Sequence, residues 1–470
     1  MSKKDGVIYT PREVVNRMLD MAGYCPAKVP ALPDMHIMDN SCGSGNILVV
    51  AAERMCEALE RNAFALGLSP AGKYDYFQKK MVEHIHGIEL SVFACAECRD
   101  RLNKVAESHL CQPVDWDWDI RCCDSLAVDD RRTYDFVVCN PPYIRVHDWI
   151  TDLWGSDFKP YEFVEQGMKD MYLAFFELGL RQVNDLGTMC YITPSSWFAS
   201  TAGKKCREYM YENRLIDRIY DYGHIQVFEN ATTYVEITVV KPINKRIPPE
   251  YLEYEDAENG KKLNIPYESF NINGGFYFAE DQDLKKLEEI QASKGPIKVK
   301  NGFATLADDI FIREEEPEDK GLFIPVFKAS TGKMAWCVYP YTTEGRKAEN
   351  EQIKGLLADF KERLLKRKTD EPWWAFGRTQ AINDTYKDKW CLKSIIRTID
   401  DINPIKVPAG SGVYGGLYIL CDDERQLECL KTEEFMNYIK SLRKYKSGGY
   451  YTYSSKDLER FLNWSCGKTK

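Results

Sequence analysis

Between residues 6 and 240 short apolar runs alternate with helical patterns, and the first four runs stop at Asp39, Glu89, Asp124 and Asn140. Such alternation predicts a parallel α/β domain. Strands are expected at 36–39, 85–90, 120–123, 136–139, 187–193, 218–222 and 233–241, and helices at 47–62, 92–109 and 171–183. Residues 241–250 turn polar around Pro242, Pro248 and Pro249, which predicts a linker. Two domains are therefore expected, 1–245 and 246–470, the second an α+β mixture with helices at 281–294 and 350–368. Residues 64–82 read as an inserted loop and helix ahead of the second strand.

The fourth run, Phe136-Val137-Val138-Cys139, leads into Asn140-Pro141-Pro142-Tyr143. Prolines lack an N–H and hold φ nearly fixed, so they cannot continue a strand or a helix interior. Pro142 also drives Pro141 into an extended conformation, which fixes where its carbonyl points. The Asn140 side-chain oxygen and the Pro141 carbonyl become two rigid acceptors with an aromatic ring beside them. An exocyclic amino group on a planar ring suits them, its two N–H bonds satisfying both acceptors while Tyr143 stacks on the ring. Acceptors placed off the ring plane also favour a tetrahedral nitrogen and localise its lone pair. The plainer alternative is a proline-rich loop that closes a strand.

Asp39-Asn40-Ser41-Cys42-Gly43-Ser44-Gly45 follows the first strand and opens a helix at Asn46. Glycines let backbone lie close against a ligand, and a helix N-terminus supplies free N–H donors. Asp39 suits an ammonium rather than a phosphate, and no Lys-Ser/Thr phosphate loop follows. Glu89 ends the second strand, where an acid can take both ribose hydroxyls of an adenosine. Asp124, followed by Ser125, ends the third and can accept from an adenine amino group. Each acid alone could equally cap a helix.

The Gly-loop, Glu89, Asp124 and Asn140–Tyr143 resemble, in order, the motifs of S-adenosylmethionine-dependent amino-methyltransferases of DNA, specifically the gamma, TaqI-like class. Tyr9-Thr10-Pro11 is similar to that family's N-terminal cofactor element, and Val227-Phe228-Glu229-Asn230 to the segment whose Phe flanks a flipped base. The resemblance implies a Rossmann-like methyltransferase domain with a mixed, mostly parallel sheet, followed by a target-recognition domain. It implies S-adenosylmethionine as cofactor, held by Tyr9, Thr10, Pro11, Asp39, Ser41, Cys42, Gly43, Gly45, Asn46, Glu89, Asp124, Ser125 and Asn140. Catalysis falls to Asn140, Pro141, Pro142, Tyr143 and Phe228, with N6 of a flipped-out adenine in duplex DNA as acceptor. The implied setting is the modification enzyme of a restriction-modification or related defence system. A monomer is expected, with a separately encoded restriction nuclease as companion, because the cofactor element begins by residue 9. Two departures stand out: Asn40 replaces the family's Pro after the acid, and Ile47 replaces its Phe. RNA-base or protein-glutamine methylation would use a similar site, and a DNA-binding regulator could keep the same fold.

Net charge is −9, but its distribution is uneven: residues 351–470 carry 22 Lys+Arg against 17 Asp+Glu, while the preceding 350 residues carry 41 against 55. A basic C-terminal part is compatible with DNA docking, and solvated charged faces are the ordinary alternative. Trp373-Trp374-Ala375-Phe376-Gly377-Arg378-Thr379-Gln380 suggests base reading through Arg378 and Gln380. Arg397, Lys406, Lys444 and Lys446 are candidate phosphate contacts. Sixteen cysteines without an apolar leader predict reduced thiols in a cytosol, and no run reaches the 18 or so apolar residues a membrane span needs. Cys95-Ala96-Glu97-Cys98 and Cys122-Cys123 could suggest zinc, but Cys95 and Cys98 lie in a helical pattern, so no metal is expected.

Overall fold

The computed structural model describes residues 9–128, 133–144, 161–165, 170–228, 233–242, 247–421 and 423–468. The chain forms two compact units, the first ending at Leu284 and the second beginning at Lys285.

The first unit is built on a nine-stranded sheet. Its strands are β1 (Ile37–Asp39), β2 (Ile85–Glu89), β3 (Asp119–Cys122), β4 (Tyr134–Cys139), β5 (Val183–Pro194), β6 (Ile216–Asp221), β7 (Val235–Val240), β8 (Tyr251–Asp256) and β9 (Lys261–Pro266). Their order is β3-β2-β1-β4-β5-β7-β6-β8-β9. The pairs from β3 to β5 are parallel, and β7 inserts antiparallel between β5 and β6. This is the mixed, mostly parallel sheet expected of a Rossmann-like methyltransferase domain. All six residues of β7 are buried, including Glu236 and Thr238, as its central place in the sheet requires.

Helices pack on the sheet: α1 (Arg12–Ala22), α2 (Asn46–Ala65), α3 (Pro70–His84), α4 (Val92–Leu110), α5 (Met171–Gln182) and α6 (Lys204–Glu212). In α2 the buried Leu48, Ala52, Met55 and Leu59 fall three or four residues apart and face the core. The inserted segment becomes α3, opened by Ser69, whose hydroxyl accepts from the Gly72 N–H, and by Pro70 in the first helical position. It runs without a break into β2.

The sheet overruns the boundary expected at residue 245. β8 pairs parallel with β6 and β9 pairs antiparallel with β8, covering the edge that β6 would otherwise expose. Pro248 and Pro249 are therefore a connection inside the first unit, with the Pro249 carbonyl held by the Arg214 guanidinium.

The second unit is α+β. One four-stranded sheet contains Lys298–Asn301, Leu417–Leu420, Lys389–Leu392 and Ile405–Val407; another contains Ile312–Arg313, Met334–Val338, Phe323–Lys328 and Gly412–Tyr414. Phe303, Phe311, Phe376, Val326 and Tyr418 lie in its core. The helix expected over 350–368 divides into Glu351–Leu357 and Lys361–Leu365 with a tighter turn between, and Gly355 weakens the first piece. Among the described residues no helix is long and apolar enough to cross a membrane.

Candidate active site

Parallel register brings the C-terminal ends of β1, β2, β3 and β4 to one edge. Asp39 stands opposite Gly87, and Glu89 opposite Cys122. From β1 the chain runs outward to β2 and β3 and then crosses back to β4 on the other side of β1, so the strand order reverses here and a crevice opens at this edge.

The loop after β1 is held on three sides. Cys42 N–H donates to the Ile88 carbonyl (3.0 Å) and Gly43 N–H to Glu89 Oε2 (3.0 Å). Arg101, on α4, donates to the Ser44 carbonyl (2.7 Å) and to Asn46 Oδ1 (2.8 Å). Gly43 and Gly45 take φ of +53° and +86°, and a Cβ on Gly45 would sit 2.6 Å from Cys98 Sγ, so that position requires glycine. Gly45 starts α2, aiming the first N–H groups of that helix at the crevice side of the loop.

Asp39 is buried, accepts from Ser41 N–H at 3.1 Å and is hydrogen-bonded by the Cys139 thiol. Burial pushes its carboxyl up to about 7; the two donors pull it down and the Glu89 charge pushes it up. Glu89 accepts from Gly43 N–H through one oxygen and from Ser91 N–H through the other (2.8 Å). Asp124 accepts from Leu126 N–H at 2.9 Å, and half-burial raises its pKa. Ser125 Oγ donates to the Asn40 carbonyl at 2.5 Å, tying the β3 end to the β1 loop. Asn40, where the resembling family has Pro, is fully buried and donates to Gln182 Oε1 (2.9 Å) and to the Tyr191 hydroxyl oxygen (2.6 Å). Ile47 is buried in the core.

Asn140 leaves β4 beside this loop, and its Nδ2 donates to Thr10 Oγ1 at 2.9 Å. Tyr143 donates its hydroxyl to the Ile192 carbonyl (2.9 Å) and meets Phe228 edge-on at 6.2 Å between ring centroids. Thr10, Asn140, Tyr143 and Phe228 are therefore brought together from three distant stretches of chain. Tyr9 is exposed, Pro11 caps α1, and residues 229–232 of the Phe228 segment lie outside the described residues. Asn46 accepts from Arg101 through its side-chain oxygen.

Sequence reasoning missed Tyr172, Arg101 and Glu236. Tyr172 meets Tyr143 edge-on at 6.4 Å. Glu236, on β7, is fully buried beneath this region. It accepts from Thr193 (2.7 Å), Trp197 Nε1 (2.9 Å) and Thr238 (2.5 Å). Burial pushes it up to about 8 against the pull of these donors. An acid inside an apolar strand was the available signal, because a buried carboxyl needs donors around it.

The second unit assembles nothing comparable from the expected DNA contacts. Trp374 and Phe376 are core residues, whereas Arg378 and Gln380 are exposed, Gln380 donating to the Gly302 carbonyl at 3.0 Å. Lys406 lies over the Trp390 ring. Arg397, just after the strand Ile395–Ile396, and Lys446, on Tyr445–Lys446, are both exposed, and Tyr450–Thr452 pairs between those two strands. Lys444 pairs with the buried Asp457 at 2.6 Å. Cys98 packs against Cys42 and Cys95 against Cys122, and among the described residues no cluster of three or more His, Cys, Asp or Glu could hold a metal.

A family model described as Eco57I restriction-modification methylase matches residues 73–228. The type II methyltransferase M.BstVI of Geobacillus stearothermophilus is 24% identical over 427 residues, covering 78% of this chain and 73% of that protein. The type II restriction enzyme and methyltransferase RM.Eco57I of Escherichia coli is 23% identical over 327 residues, covering 56% of this chain but 32% of its own length. In fold, the chain is similar to the type IIL restriction-modification enzyme MmeI, solved in complex with DNA. The TM-score is 0.63 at 12% identity, over 97% of this chain and 68% of that one. The family match, residues 73–228, spans Glu89, Asp124, Asn140, Tyr143 and Phe228.

Proposed function

We propose that this chain methylates N6 of a flipped-out adenine in duplex DNA, as the modification activity of a restriction-modification system. The observation that carries the reading is the single strand edge where Asp39, Glu89 and Asp124 stand next to Asn140, Tyr143 and Phe228. The cofactor is S-adenosylmethionine, and the residues present fit it. Asp39 suits an ammonium, Glu89 a ribose diol and Asp124 an adenine amino group, while no atom would meet a Cβ at Gly43, so backbone there can approach a ligand. When bound, the cofactor supplies an electrophilic methyl group on a sulfonium.

The chain's own residues do the rest. Asn140 Oδ1 and the Pro141 carbonyl accept from the target amine and localise its lone pair. Tyr143 and Phe228 form an aromatic wall for a base taken out of the stack. The nitrogen becomes cationic on attack and then sheds its proton readily, so no strong base is required. The second unit, 285–470, is proposed to dock and read the duplex, with Arg378, Gln380, Arg397, Lys406 and Lys446 as candidate contacts. A separately encoded nuclease and a monomeric enzyme complete the proposal.

The test offers the full-length protein labelled cofactor with unmethylated duplex DNA, structured RNA and bulk protein in parallel. Label in the duplex alone is expected; label in RNA or in glutamine side chains would overturn the substrate class.

A further inference from the structure

Leu306 carries a backbone φ of +58°, in the left-handed region that glycine occupies freely and a leucine rarely adopts, and it is 42% exposed. The conformation is imposed by its neighbours. Thr305 is fully buried, its hydroxyl donating to the Asp308 carboxylate and accepting from the Ala307 N–H at 3.0 Å. The Thr305 carbonyl accepts from the Gly377 N–H at 3.3 Å and from the Arg367 guanidinium at 2.5 Å.

The leucine side chain is seated as well. A Cβ on Gly377 would lie 2.4 Å from Leu306 Cδ1 and 2.5 Å from its Cγ, so the isobutyl group rests on the bare backbone of that glycine. A glycine at 306 would remove the strain, and a side chain at 377 could fill the notch left behind. Neither is present. Two positions therefore depart from what stability alone favours, and together they hold one apolar face of Leu306 toward solvent. Strain kept under an exposed side chain points to a use for that side chain.

The surroundings bear on what it meets. Arg378 follows Gly377, is exposed, and exchanges both backbone hydrogen bonds with Ala304 (2.9 and 3.2 Å). Thr369 Oγ1 donates to the Gly377 carbonyl at 2.9 Å, which draws the segment carrying the exposed Lys366 and Lys368 alongside. Arg363 is paired with Asp309, whereas among the described residues Lys366, Lys368 and Arg378 make no ion pair. A fixed apolar face among unpaired cations suits a polyanion that also presents an apolar group. Duplex DNA does so, with its phosphates and with the 5-methyl group of thymine at the base edges of the major groove.

We infer that Leu306 is a specificity-determining residue that packs on a thymine 5-methyl group in the major groove, next to a base pair contacted by Arg378. This rests on the function proposed above, in which the second unit reads the duplex. Because the backbone on either side is fixed, the leucine meets the base edge in one position and distinguishes a methyl group from a hydrogen there.

The full-length wild type first defines its motif, by sequencing of the bases it methylates in duplex DNA. Affinity for that motif is then measured with each thymine replaced in turn by uracil, which lacks the methyl group. The series is run on wild type, Leu306→Gly and Leu306→Asn, both replacements being suited to a positive φ. At one thymine, uracil is expected to weaken wild-type binding by about threefold to fivefold. That difference should fall below about 1.5-fold in both variants, with affinity for a duplex lacking the motif within about twofold of wild type. Their melting temperatures should equal or exceed that of the wild type, since the strain is relieved. Uracil sensitivity absent from the wild type, or retained in both variants, would overturn the inference. A melting temperature lowered by more than about 5 °C in both variants would mark Leu306 as a packing residue and overturn it as well. A wild type that methylates no duplex DNA would instead overturn the underlying function, whatever the Leu306 variants do.

Discussion

The strand edge of the first unit and the basic stretches of the second were both singled out from sequence, and they meet different fates. At the edge, Asp39, Glu89, Asp124 and Asn140 converge because each stands at or just beyond the end of a parallel strand whose register is fixed by a buried core. In the second unit the chosen residues scatter, and Lys444 and the Trp374–Phe376 segment are absorbed into the unit's own structure. Chemistry carried by strand ends inherits the geometry of the sheet. Recognition carried by exposed long side chains inherits no such geometry, and an Arg or Lys there satisfies a neighbour as readily as a ligand.

The contrast is sharpened first by Asn140→Ala. Turnover should fall by on the order of a hundredfold or more, with cofactor affinity within about twofold of wild type. Single-turnover kinetics beside calorimetry separates the two, and equal losses in both would blur the division between cofactor and acceptor residues.

Glu236→Ala comes next and concerns the frame under the site. It leaves Thr193, Trp197 and Thr238 with donors and no acceptor, and should destabilise the protein by about 3 kcal/mol in urea unfolding. A change below about 1 kcal/mol would mean that the buried carboxyl is not what holds this region.

Asp39→Asn and Glu89→Ala should each weaken cofactor binding by about 1–3 kcal/mol, tested by calorimetry. The Asp39 effect should also depend on pH. With its carboxyl pushed up to about 7, the acid must lose a proton before it can take an ammonium. Affinity should therefore rise with pH toward about 7 and level off above it, and Asp39→Asn should flatten the profile. The stability sign is opposite: a carboxyl raised on folding makes the unliganded protein less stable as pH rises between about 4 and 7.

The smallest effects belong to the second unit. Lys446→Ala should lower the salt dependence of DNA binding by about one counterion without changing stability. Lys444→Ala should leave that slope alone and cost about 1–3 kcal/mol of stability, because it strips a partner from the buried Asp457. If the two variants exchange behaviour, the surface has been misread.

Most of the parallel sheet was legible because strands β1 to β4 are short apolar runs that each end in a distinctive polar residue. The domain limit was not. Pro248-Pro249 looks like a linker, and only the pairing of Tyr251–Asp256 with β6 reveals that the sheet continues. Glu236 escaped because strand pattern alone does not disclose the two donors, Thr193 and Trp197, that β5 and its following turn bring to it. Thr10 was legible as part of a cofactor element, but its hydrogen bond to Asn140 depends on how α1 packs against the sheet.

The central claim, that this edge presents an exocyclic amine of adenine for methylation, is tested most directly by nucleoside mass spectrometry. Unmethylated duplex DNA is incubated with the full-length protein and isotopically labelled cofactor, without added divalent metal, then digested to nucleosides. The expected result is label in N6-methyladenine alone, absent from the Asn140→Ala reaction. Label in N4-methylcytosine or 5-methylcytosine, or N6-methyladenine formed undiminished by Asn140→Ala, would contradict the account.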